Sequence, residues 1–142
     1  MLKLLGALMM LISLGGQDAA SDRYAEGQVW EYRTRPGDEG SLLKIQSVEA
    51  YTNAPAAEDR RVYHISLIGV RFGPERTVTQ LQHLPVSRET LDASVLRRSD
   101  SAASFPAPDE GIAMWREAEG GVFTIPVAEL VDIVEQAMQD PE

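Results

Sequence analysis

The stretch from Arg61 to Phe72, RVYHISLIGVRF, constrains the fold more than any other. It is rich in branched and aromatic residues, which suit a pleated surface, and it is apolar on both faces. A strand of that kind belongs at the centre of a sheet. Gly73-Pro74-Glu75-Arg76 follows as a hairpin loop, and Thr77 to Leu84 reads as the returning strand.

The same alternation recurs nearer the N-terminus. Gln28 to Thr34 is expected to form a strand with Trp30, Tyr32 and Thr34 on one face and Val29, Glu31, Arg33 and Arg35 on the other. Arg35-Pro36-Gly37-Asp38 is a turn, because proline presets one torsion angle and glycine accepts the positive one. A strand from Leu42 toward Tyr51 changes its apolar phase between Ile45 and Val48, which predicts a bulge near Ser47. Residues 52–60, TNAPAAEDR, form a polar connection.

Beyond Pro85 the period lengthens. Ser87 suits the N-cap of a helix carrying Leu91, Val95 and Leu96 on one side, with Arg97 and Arg98 at its C-terminal end, where carbonyl dipoles favour cations. Residues 99–108 are a loop. Asp109 is expected to cap a short helix in which Ile112 and Trp115 share a face, and Gly120-Gly121 ends it. Val122 to Ile125 is a short strand. Pro126 opens a last helix with Val127, Leu130, Val131, Val134 and Met138 at helical spacing. The sum is an α+β domain: an antiparallel sheet of four or five strands with two or three helices packed mainly on one face.

The length of 142 residues fits one domain. Lys3 followed by an apolar run from Leu4 to Leu14, then small and polar residues, has the pattern of a signal peptide. The run is about half of the roughly 20 residues that span a bilayer, so stable membrane insertion after cleavage is not expected. Cleavage after Gly15 or nearer Ala19 or Ala20 fits, giving a signal peptide over residues 1–20 and a single domain over residues 21–142. The chain has no cysteine, which excludes a disulfide framework, a lipid-modified cysteine, a thiol nucleophile and any thiolate metal site. A periplasmic or secreted protein that relies on its packed core is the economical expectation.

Charge is unevenly placed. Residues 21–98 hold 11 Lys and Arg against 11 Asp and Glu, whereas residues 99–142 hold Arg116 alone against 10 carboxylates. The whole net charge of −9 therefore sits in the last third. Such a field repels nucleic acid and anionic headgroups and favours a basic protein partner. A solvated acidic face that merely keeps the protein soluble accounts for the same charge.

His64 and His83 are the only histidines. If Gly73 to Arg76 form the loop, Phe72 faces Thr77, His83 falls opposite Ser66 and His64 opposite Pro85, so both rings share one sheet face as diagonal neighbours. His64, Ser66 and His83 are thus a candidate polar site, either a general acid–base or metal pair or a hydrogen-bonded structural pair. No third ligand, Gly-x-Ser-x-Gly elbow or phosphate-cradling loop accompanies them, so neither a catalytic residue nor a metal or other cofactor is assigned. Glu129, Asp132 and Glu135 step by three along the polar side of the last helix, as ordinary amphipathicity would place them. Arg33, Arg35, Trp115, Glu117 and Glu119 are candidate partner-binding residues.

Four segments together carry a resemblance: Gly27-x-Val29-Trp30-x-Tyr32-x-Thr34-Arg35-Pro36-Gly37, Val62-Tyr63-His64-Ile65-Ser66, His83-Leu84-Pro85-x-Ser87 and Gly121-Val122-Phe123-Thr124-Ile125. The chain resembles an uncharacterised family of small exported bacterial proteins. The resemblance implies that these segments belong to one structural plan, and it brings no activity, cofactor or catalytic residue with it. Three functions are therefore expected in turn. The first is a periplasmic binding or inhibitor-like protein that acts through protein contact, as immunity proteins act on basic toxins. The second is a hydrolase or metal-dependent enzyme using His64 and His83, and the third a structural envelope protein.

Overall fold

A computed structural model describes residues 23–51 and 61–139, so the expected signal peptide and the 52–60 connection lie outside the described residues. Five strands, β1 (Val29–Tyr32), β2 (Leu42–Ala50), β3 (Arg61–Phe72), β4 (Thr77–Val86) and β5 (Val95–Ser99), form one antiparallel sheet in the order β4-β3-β2-β1-β5. Three helices accompany it, α1 (Arg88–Ser94), α2 (Asp109–Glu117) and α3 (Val127–Gln139). The fold is α+β, and none of the helices described is long and apolar enough to cross a membrane.

β3 is apolar on both faces because both faces are covered. Tyr63, Ile65 and Leu67 join Trp30, Tyr32, Leu43 and Ile45 in a core closed by Leu91 of α1 and Leu130 and Val131 of α3. Val62, His64 and Ser66 point the other way and are equally buried, under α2 and the loop that precedes it. Two helices thus pack on one face and one on the other. The alternation expected of Trp30 and Tyr32 holds, since both are buried in the core.

Three irregularities shape the sheet. Gln46 is the extra residue of a β2 bulge between Ile45 and Ser47, and its freed side chain donates to Ser66 Oγ at 3.1 Å and to the Pro106 carbonyl at 3.0 Å. Gly69, at φ 81°, is a bulge in β3 where a Cβ would stand 3.2 Å from Ser41 Cα. A second register shift, between Ile65 and Leu67 of β3, restores the starting register, so His64 does face Pro85.

Several expected boundaries differ: the first strand ends at Tyr32 instead of Thr34, and β4 runs on to Val86. The helix begun at Ser87, whose side chain accepts from Thr90 N at 3.2 Å, stops at Ser94; Val95 to Ser99 becomes the edge strand beside β1 instead of a last helical turn. Ser94 Oγ donates to the Thr90 carbonyl and accepts from Val127 N, so it closes α1 while capping α3. The expected strand over Val122 to Ile125 is a single bridge from Phe123 to Val86, being confined between Gly121 and Pro126. Asp109 is the first residue of α2 rather than its cap, and Pro108 takes the cap position without a side-chain bond.

Candidate functional site

The hairpin brings the two histidines into direct contact. His64 Nδ1 and His83 Nε2 are 2.7 Å apart with the rings stacked, and His64 Nε2 is 2.6 Å from Glu49 Oε2. A nitrogen facing a carboxylate carries the proton, so His64 donates to Glu49 from Nε2 and its bare Nδ1 accepts from His83 Nε2–H. The chain Glu49–His64–His83 therefore reads as carboxylate, neutral imidazole, neutral imidazole. Only one proton fits between the rings at this distance.

The electrostatics agree with the geometry. Burial pushes His64 below its ordinary range despite the opposing pull of Glu49. Burial, helped by the neighbouring His64, pushes His83 down to about 4. For Glu49, burial alone would raise the pKa, but hydrogen bonds from His64 and Arg116 hold the carboxylate below its usual range.

Helix α2 rests on this chain. Trp115 meets the His64 ring edge-on at 4.8 Å between centroids, and Gly111 lies over His83 so closely that a Cβ would stand 2.7 Å from His83 Cβ. Gly111→Ala is accordingly expected to lift α2 at a cost of about 1–2 kcal/mol, measured by urea unfolding. An Ala113→Ser change on the exposed side serves as the neutral control.

Ser66 is adjacent but not joined to the pair. Its hydroxyl donates to the Gln82 carbonyl at 2.6 Å and accepts from Gln46, an arrangement that ties β2, β3 and β4 together. Glu49 is the member that sequence reasoning missed. The bulge at Gln46 shifts the phase of β2 so that Ser47 faces His64, and Glu49, two residues on, reaches the ring diagonally. The phase change near Ser47 was the available clue. Among the described residues, no group of three or more His, Asp or Glu side chains is placed to hold a metal ion.

The candidate contact residues separate into two places. Arg33 is exposed while Arg35 is buried, so the expected shared arginine face does not form. Arg35 turns inward because four acceptors await it: Asp38 at 2.8 Å, Asp132 at 3.0 Å, Glu135 at 2.6 Å and the Arg71 carbonyl at 2.8 Å. Two of the acidic residues that looked like plain helix surface are thus a clamp fastening α3 to the β1–β2 turn.

Trp115 and Glu119 line one cleft, whereas Glu117 lies on a different side of α2. Glu117 and Glu119 are exposed, and Trp115 is half-buried with its indole N–H donating to the Gly121 carbonyl at 2.8 Å. Met114, exposed by 63%, lies four residues after Glu110 and three before Glu117, so these three form one outward ridge of α2. Beside the ridge a cleft of about 260 Å³ is lined by Glu49, Tyr51, Trp115, Arg116, Glu119 and Gly120. Neither histidine lines it. Comparison of the chain with protein-family models, curated proteins and solved structures gave no match.

Proposed function

We propose that this is a small exported binding protein, inhibitor- or immunity-like, that acts by contact between the α2 face and a basic protein partner. The observation that supports it most is the ridge itself: an exposed methionine between carboxylates, beside a half-exposed tryptophan, on a helix braced against a rigid sheet. Apolar anchors ringed by charge are how contact surfaces combine affinity with steering. The alternative of an enzyme centred on His64, Ser66 and His83 gains a carboxylate in Glu49, but His64 and Ser66 are fully buried and Ser66 is spent on a backbone carbonyl. Contact therefore accounts for more of the arrangement.

A photoreactive phenylalanine analogue in place of Met114 should give an adduct with a basic envelope protein, and the adduct should fade as salt rises. The same analogue in place of Leu96, exposed on the β5 edge, should not. No adduct specific to position 114, or equal adducts from both, would refute the proposal.

A further inference from the structure

We infer that the cleft beside Glu49 is a binding site for one organic cation, a guanidinium or alkylammonium group. Tyr51 and Trp115, with ring centroids 6.1 Å apart, make an aromatic wall, and Glu49 and Glu119 supply carboxylates at its edge. Glu49 is fixed from behind. Its Oε2 is held at 2.6 Å by the buried His64, itself backed by His83, so the carboxylate is oriented before any ligand arrives.

The cleft already shows which chemistry it accepts. The Arg116 guanidinium lies 3.3 Å from both Glu49 oxygens, longer than the roughly 2.7–2.9 Å of a charge-assisted bond, on a side chain exposed by 58%. It is a loosely held resident that an incoming cation can displace into solvent. The histidine pair thereby acquires a positioning role: it aims Glu49 rather than reacting.

The site deepens the contact reading, on which one source of the cation rests, since a lysine or arginine of a basic partner carries this chemistry as well as a free small cation does. The test is a titration of the isotope-labelled full chain with N-acetyl-arginine amide, whose guanidinium is its one charge, followed by NMR at the Trp115 indole N–H and the Gly120 and Gly121 amides. Saturable shifts in the millimolar range suited to so small a ligand are expected, with none from N-acetyl-citrulline amide, which carries no charge. Glu49→Gln should weaken binding about tenfold, as loss of a charge-assisted partner does. Because that change also touches His64, Glu119→Gln provides the surface counterpart and should weaken binding about threefold with stability unchanged. Arg116→Ala should tighten it.

No saturable shift, equal shifts from N-acetyl-citrulline amide, or unaltered affinity in both glutamine variants would overturn the inference. A short peptide with one central arginine that binds more tightly than the amide identifies a partner side chain as the source, and equal affinity identifies a free cation. The two proposals also fail separately. An adduct at position 114 without amide binding leaves contact and removes the cleft, and amide binding without an adduct does the reverse.

Discussion

Arg35→Met is expected to destabilise the domain by about 3–5 kcal/mol, the range for removing one partner from a buried ion pair. Arg35 is exposed by 9% and Asp38 by 1%, so the substitution leaves a carboxylate sealed from water with its principal cation gone. Asp38 would keep only the Arg71 backbone N–H at 3.0 Å and the distant Arg76 at 3.7 Å. Asp132 and Glu135 would lose their hold on the β1–β2 turn, and α3, whose Leu130 and Val131 close the core, would keep the Glu135 bond from Gly73 N and the Ser94 cap as its polar ties. Urea unfolding at neutral pH measures the loss. Arg33→Met, on the exposed neighbour, should stay within about 0.5 kcal/mol, and adding Asp38→Asn to Arg35→Met should restore part of the stability by removing the stranded charge.

The second large effect is expected from acid. An unfolded histidine titrates near 6.5, whereas His83 in the fold is pushed down to about 4 and His64 is shifted in the same direction. Between those limits the unfolded chain binds protons that the folded chain refuses, so stability is full above about pH 6.5 and falls as pH drops toward 4. Glu49, whose carboxyl is held low by His64 and Arg116, adds to the loss at the acid end. Partial water access to His83 limits its share to about 2 kcal/mol. Urea midpoints at pH 7, 5.5 and 4.5 should trace this decline. His83→Gln, which keeps a donor toward His64 but cannot titrate, should flatten the slope; an unchanged slope would contradict the assignment.

Much of this was legible from residue order. The two-faced apolar run of β3, the Gly73–Arg76 loop and the bulge near Ser47 follow from local side-chain chemistry; the loop puts His64 and His83 on one face because the two register shifts between β3 and β4, which residue order did not show, cancel. What local chemistry could not supply was the partner of each buried polar group. Arg35 follows a strand whose outer face reads as charged surface, and only the return of α3, about a hundred residues later, gives it Asp132 and Glu135 as inward partners. Val95 and Leu96 continue a helical period, yet the unpaired backbone of β1 claims them for a strand. Glu49 needed the bulge to be placed to the residue, because one position either way moves it to the opposite face. Propensity yields to tertiary pairing at each of these positions.

On the cation-site inference, the histidine pair has the role of a brace that aims Glu49 and carries α2. Nitrogen-15 NMR of the two imidazoles across the pH range tests that claim most directly. The account predicts both rings neutral at neutral pH, each protonated on Nε2 and bare on Nδ1, with His83 gaining charge only near pH 4 and His64 below its ordinary range. Titration of either ring near 6.5, or a proton resident on His83 Nδ1 at neutral pH, would contradict it.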